Sequence, residues 1–193
     1  MFTGITETIG TLESIEIEES NKVFKIKSEI SSTLKVDQSV AHDGACLTVT
    51  KTDGQSHWVT AIGETLSKTN LGTWEVGQKI NLERCLKLGD RLDGHWVQGH
   101  VDTVGMCTSL SYEGGSWKFE FSYKNSLDYR TVAKGSITIN GCSLTVVESF
   151  SEKFSVAIIP YTFDHTTFKT LKIGSFVNLE FDILGKWVKE WMK

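Results

Sequence analysis

The chain has 193 residues, of which 39% are hydrophobic and 23% charged, with 20 basic against 24 acidic side chains and a formal net charge of −4. That length suits one large domain or two small ones, and the charge balance offers no bulk attraction to nucleic acid or to an anionic membrane. No run of 18 apolar residues is present to span a bilayer.

The opening stretch MFTGITETIG (1–10) has neither a basic start nor an apolar run, so no signal peptide is expected. Short alternating runs then predict strands: VFKIKS, CLTVTK, HWVTAI and KINLER. Asp43-Gly44 sits between two such runs and is the signal of a tight hairpin. SKTNLG (67–72) predicts a short helix or turn. Near residue 95 the pattern starts again, with WKFEFSY, SLTVVE, FSVAII and FVNLEF as strands, Asn140-Gly141 as the hairpin and DHTTFKT (164–170) as the short helix or turn. The turn spacing is that of a β-sandwich or barrel. In ILGKWVKEWMK, from about 183 to 193, Leu184, Trp187, Val188, Trp191 and Met192 fall on one helical face. So short a helix is not stable alone in water, so it docks either on its own barrel or on another subunit.

The second half is a copy of the first. SVAHDGACLTVT (39–50) and SITINGCSLTVV (136–147) lie 97 positions apart, and at the same offset Thr65 meets Thr162, Thr69 meets Thr166 and Asn81-Leu82-Glu83 meets Asn178-Leu179-Glu180. At an offset of 95, TGITETIG (3–10) lies on QGHVDTVG (98–105). Two all-β units are therefore expected, 1–95 and 96–193, closely joined because no Pro/Ser-rich linker separates them. The four cysteines, Cys46, Cys85, Cys107 and Cys142, form no C-x-x-C pair. They read as free thiols of a cytoplasmic protein, and with the histidines scattered no metal site is expected.

Alternation along a strand assigns faces. Leu47 and Val49 share the core side, while Cys46, Thr48 and Thr50 share the other; in the second copy Leu144 and Val146 oppose Ser143 and Thr145. Each unit thus presents a shallow polar patch of small side chains, where a flat ligand can approach the backbone. Alternation takes Cys46 off the apolar side without making it a nucleophile. His42, His57, His95 and His165 read as ordinary surface or core histidines. His100 stands where the first copy has Ile5. Copy one therefore has Ile5 and Cys46 where copy two has His100 and Ser143. The pattern alone leaves two readings open: two related pockets with complementary chemistry, or drift after duplication.

The motifs MFTGI, GACLTV, ETLSKTNLG, INLER, GHWVQGHVD, KGSITINGCSLTV and IIPYTFDHTTF, in this order across essentially the whole chain, resemble the lumazine-binding riboflavin synthase family. The resemblance implies two six-stranded Greek-key β-barrels and a C-terminal α-helix that helps assemble a homotrimer. It implies a dismutation of two 6,7-dimethyl-8-ribityllumazine molecules, one giving four carbons to the other to yield riboflavin and 5-amino-6-(ribitylamino)uracil. No metal or organic cofactor is implied, and an association with lumazine synthase is a further partner that the family suggests. The site is expected between the first barrel of one subunit and the second barrel of its neighbour.

Carried over residue by residue, the family pattern places one lumazine against Gly4, Ile5 and Thr6 with Ser143, Leu144 and Thr145 and the run Ala157, Ile158, Ile159, Pro160, Tyr161 and Thr162. The other falls against Cys46, Leu47 and Thr48, the run Thr60, Ala61, Ile62, Gly63, Glu64 and Thr65, and Gly99, His100 and Val101, with Lys134 reaching across the subunit boundary. Ser39, Cys46, His100 and Thr145 match the catalytic positions. His100 suits proton transfer near neutral pH, Cys46 suits addition to the ring or activation of a water, and Ser39 and Thr145 suit stabilisation of the methylene anion. Asn140 and Tyr161 depart from the family's usual Asp and His or Glu. Fluorescent accessory proteins that bind lumazine or flavin without reacting it share the double barrel, but they tend to lose the cysteine, histidine or second threonine. This chain keeps Cys46, His100 and Thr145, which favours the enzyme.

Overall fold

The computed structural model of the chain describes residues 1–124 and 129–192; Lys193, the last residue of the expected C-terminal helix, lies outside them. The first half forms β1 (Thr8–Glu18), β2 (Asn21–Lys27), β3 (Ser39–His42), β4 (Ala45–Thr52), β5 (Ser56–Ala61) and β6 (Lys79–Arg84), closed in the order β1-β2-β5-β4-β3-β6. The second half repeats it with β7 (Thr103–Glu113), β8 (Ser116–Tyr123), β9 (Ser136–Ile139), β10 (Cys142–Ser149), β11 (Lys153–Ile158) and β12 (Phe176–Phe181). All pairings are antiparallel. Closure leaves no unpaired sheet edge, so the architecture is the doubled six-stranded barrel with a C-terminal helix. Helix α1 (Gly63–Lys68) follows β5, α2 (Pro160–His165) follows β11, and α3 (Ile183–Trp191) ends the described chain.

The sequence alternation is realised as burial. Leu47 and Val49 lie in the core of the first barrel while Thr48 and Thr50 are exposed; Val146 is buried and Leu144 packs on the second core, while Thr145 is exposed. Matching bulges interrupt the pleat at Val49/Lys51 and Val146/Glu148, and at Leu12/Ser14 and Cys107/Ser109. Bulges add local twist, as a small barrel needs to close. The two cores differ in chemistry. In the first, His42 Nε2 lies 2.9 Å from His57 Nε2, and His57 Nδ1 lies 2.8 Å from the Ser31 hydroxyl, all three residues being buried. The matching positions in the second barrel are Ile139 and Phe154, within an aromatic core that includes Phe119, Phe121 and Phe168.

The barrels meet through residues that are copies of one another, the signature of a pseudo-two-fold axis. Phe2 and Val97 form an isolated antiparallel bridge, with N–H···O distances of 2.7 and 3.2 Å. The two hairpin turns, with positive φ at Asp43, Gly44, Asn140 and Gly141, abut so closely that a Cβ on Gly44 would lie 2.8 Å from Gly141 N. Asn81 Nδ2 donates to the Asn140 carbonyl at 2.8 Å and Asn178 Nδ2 donates to the Asp43 carbonyl at 2.9 Å. These asparagines are buried, so losing either leaves partners unsatisfied at about 1–3 kcal/mol each.

Candidate active site

Two short segments leave the barrels and cross between them. The strap at residues 2–6 precedes β1, yet the Gly4 carbonyl accepts a 2.7 Å hydrogen bond from Ser143 N in β10 of the other barrel. The strap at residues 97–101 precedes β7, yet the Gly99 carbonyl accepts a 2.8 Å bond from Cys46 N in β4, and Val101 packs on the first core. Each barrel's polar patch is thus completed by the other's strap. Glycine is required at both crossings. Gly4 and Gly99 have φ of +77° and +80°, and an added Cβ would come within 2.7 Å of Ser143 Cβ and 2.6 Å of Cys46 Cβ respectively.

On the second barrel the crossing opens into a cleft of about 440 Å³ lined by Gly4, Ile5, Thr6, Ser143, Tyr161 and Thr162 among others. Six of the expected residues therefore converge. Thr6 Oγ1 lies 3.3 Å from Cys142 Sγ. Pro160 opens α2 at its first turn, where a fixed φ suits helix initiation, and this presents Tyr161, stacked on His165 at 4.2 Å, to the cleft. Ile158 points into the core, whereas Ala157 and Ile159 are exposed.

On the first barrel, Ser39 in β3 is paired with Thr48 and Ala41 with Cys46, which sets Ser39, Cys46 and Thr48 on the outward face beneath the Gly99–His100 strap. Burial pushes the Cys46 thiol up, a hydrogen bond with Ser39 pulls it partly back, and the nearby Cys85 and Glu180 push it up further. The resting sulfur is therefore a thiol and not a preformed thiolate. His100 is exposed on the strap, and its N–H is bound to Glu180. Ile62 and Glu64 are exposed at the start of α1, Thr60, Gly63 and Thr65 are half-buried, and Ala61 and Leu47 face the core.

The remaining expected residues lie apart. Thr145 is exposed on β10 opposite Ser136, on a different barrel from Ser39 and Cys46. Lys134 is exposed just before β9, with φ of +70°. Three residues that the sequence did not single out belong to the crossings. His95, read as an ordinary histidine, places Nδ1 2.7 Å from Ser143 Oγ and Nε2 3.2 Å from Thr138 Oγ1, and burial holds its imidazole below the usual range. Buried Glu83 accepts from Thr3 N at 2.6 Å, Thr3 Oγ1 at 2.7 Å and Gly4 N at 3.0 Å. Buried Glu180 accepts from Gln98 N at 2.7 Å, Gly99 N at 2.9 Å and His100 N at 3.0 Å. Burial pushes its carboxyl up to about 7 against the pull of the Gln98 N–H and of Lys186.

The profile of the Lumazine binding domain family matches the chain twice, at residues 3–85 and 98–182. The chain is 36% identical to a riboflavin synthase of Actinobacillus pleuropneumoniae over 193 residues, covering 100% of this chain and 90% of that protein. It is 35% identical to that of Bacillus subtilis (strain 168), with the same coverage, and 36% identical to that of Saccharomyces cerevisiae, covering 98% of this chain and 85% of that protein. The fold is similar to LumP complexed with 6,7-dimethyl-8-(1'-D-ribityl) lumazine, with a TM-score of 0.85 at 23% identity, covering 94% of this chain and 99% of that one.

Proposed function

The chain belongs to the lumazine-binding riboflavin synthase family, and from that premise we propose that its two crossed pockets bind two lumazines for unequal roles. The chain is an enzyme that dismutates two 6,7-dimethyl-8-ribityllumazine molecules, moving a four-carbon unit from one to the other to give riboflavin and 5-amino-6-(ribitylamino)uracil. The observation that carries the assignment of roles is the pair of equivalent crossings with different side chains. Cys46, Ser39 and the His100 strap gather at one, while Ser143, Gly4 and Ile5 gather at the other.

The donor–acceptor pair needs a proton removed from the C7 methyl of one ring and a nucleophile added at C7 of the other. His100 moves the methyl proton. Cys46, a thiol at rest with Ser39 bonded to the sulfur, adds to the ring as its proton passes to solvent, or holds by hydrogen bond the water that adds. Thr145 and Ser39 donate to the charge that builds on the methylene. Holding two flat rings face to face supplies much of the acceleration.

Thr145 stands on the second barrel, away from Ser39 and Cys46 on the first. One chain therefore presents two half-sites, and the complete site forms where the first barrel of one subunit meets the second barrel of the next, with Lys134 reaching over the boundary. A homotrimer assembled partly through α3 satisfies this, since Leu184, Trp187, Val188, Trp191 and Met192 of that helix are 53–82% exposed. A cytoplasmic location fits four cysteines that are free. The test is direct: purified protein mixed with the lumazine alone generates riboflavin absorbance. A bright complex in which the ligand stays unchanged would make the protein a chromophore binder instead.

A further inference from the structure

We propose that Glu83 and Glu180 are positioning residues, a matched pair of buried carboxylates that clamp the backbone N–H groups of the two straps and so hold each strap across the opposite barrel's pocket. The inference rests on the proposed reaction only for which ligand each strap meets; the clamp itself is a matter of geometry. Each carboxylate is 3–6% exposed, stands at the same place in its barrel's last strand, and receives three hydrogen bonds from its own strap.

Glycine leaves the backbone of each strap conformationally free; the Phe2–Val97 bridge and the carbonyls of Gly4 and Gly99 pin the straps to the barrels, and the carboxylates hold their N–H side. Converging N–H groups on one carboxyl group fix two or three consecutive peptide planes at once, most firmly when that group is ionised. In the first barrel Glu83 Oε1 takes both Thr3 N and Thr3 Oγ1, and the same hydroxyl accepts Ile5 N at 3.1 Å. In the second, Glu180 reaches Gln98, Gly99 and His100 without a hydroxyl in between. The crossing makes the roles reciprocal. Glu83, in the first barrel, positions Gly4 over Ser143 of the second; Glu180, in the second, positions Gly99 and His100 over Cys46 of the first. The second clamp is also tied to α3, because Asp102 accepts from Phe181 N at 2.8 Å and pairs with Lys186 at 2.6 Å beside the strap.

The test uses the full chain and hydrogen exchange of individual strap amides. In the unaltered protein, Thr3, Gly4, Gln98, Gly99 and His100 exchange as slowly as barrel strands. Glu180→Gln, which keeps size and one acceptor oxygen, speeds Gln98, Gly99 and His100 by about tenfold or more and leaves Thr3 and Gly4 unchanged, with the melting temperature held; Glu83→Gln does the reverse. The same split appears on ligand binding: riboflavin still shields Cys46 from iodoacetamide in Glu83→Gln and no longer does so in Glu180→Gln. Glu83→Asp and Glu180→Asp, which keep the charge and shorten the reach, give the same strap-by-strap pattern. Strap amides that exchange at loop rates in the unaltered protein overturn the clamp, as do substitutions that open both straps alike or neither. If either variant unfolds, the unaltered protein and the aspartate variants still decide. Failure of the unaltered protein to bind or convert lumazine sinks the proposed reaction and leaves the exchange result standing on its own.

Discussion

At the scale of single residues, the two copies differ by a few substitutions on one scaffold. Cys46 and Ser143 occupy equivalent places under equivalent straps, yet one offers a thiol held protonated by burial and the other a hydroxyl bonded to His95. Cys46→Ser and His100→Gln are each expected to lower kcat by about 10²-fold, within the usual range for a lost acid–base group, while lumazine binding followed by fluorescence changes little. Wild-type turnover in both variants would remove the two groups from the mechanism. Strand alternation placed Cys46 opposite Leu47 and Val49, as the structure has it, whereas its proposed chemistry came only from the family resemblance. Glu83 and Glu180 were not legible: on the outward face of a strand, a glutamate reads as solvated, and only the crossing strap makes it buried. His95 was hidden for the same reason, since its partner Ser143 lies 48 residues away.

At the scale of the strand and barrel, eight strands announced themselves by alternation, and β1, β3, β7 and β9 did not. β3 and β9 are four residues long, too short for a period to show. β1 and β7 each carry a bulge that shifts the alternation midway. The turn-rich stretches do hold short 3-10 helices, Asn70–Thr73 and Thr167–Thr170, and each is preceded by a short α-helix that the sequence did not announce, starting at Gly63 and Pro160. Core composition separates the barrels in a way that pH exposes. Burial lowers His57 to about 4 and lowers His42 well below its usual value, where the neighbouring His57 adds to the effect. Both are neutral in the folded barrel and protonate in the unfolded chain, so the unfolded state binds more protons below about 6.5. Their stabilisation is full above that pH and is lost as pH falls toward 4, costing about 3 kcal/mol for His57 alone. Acid exchange or proteolysis is expected to open the first barrel before the second, and His42→Ile with His57→Phe, the residues of the second copy, should narrow that gap. Simultaneous opening of both barrels at pH 4–5 in the unaltered protein would count against this.

At the scale of the whole molecule, the doubling was plain in the sequence from matched phrases 97 positions apart, but how the halves meet was not. The meeting surface is built from asparagine side chains and turn backbone that have no periodicity to read. The C-terminal helix is held to the molecule on one side only. Lys186 ties α3 to Asp102 of the second barrel, yet Trp187 and Trp191 stay 53% and 78% exposed on the opposite side of that attachment. A contiguous apolar stripe of this kind marks a docking face. If the proposed trimer assembles through α3, Trp187→Glu combined with Trp191→Glu should shift the protein to smaller species in sedimentation and abolish turnover while each chain still binds ligand. A double variant that sediments and turns over as the unaltered protein does would separate α3 from assembly.

The exchange of straps has a historical reading. A gene encoding only one unit would make a dimer whose arms are traded across a true axis, and every change at a pocket would appear twice. Joining two such genes end to end keeps the traded arms but frees each position from its twin. An isoleucine can then become a histidine, or a serine a cysteine, on one side only, and a symmetric binder acquires the inequality that its chemistry requires.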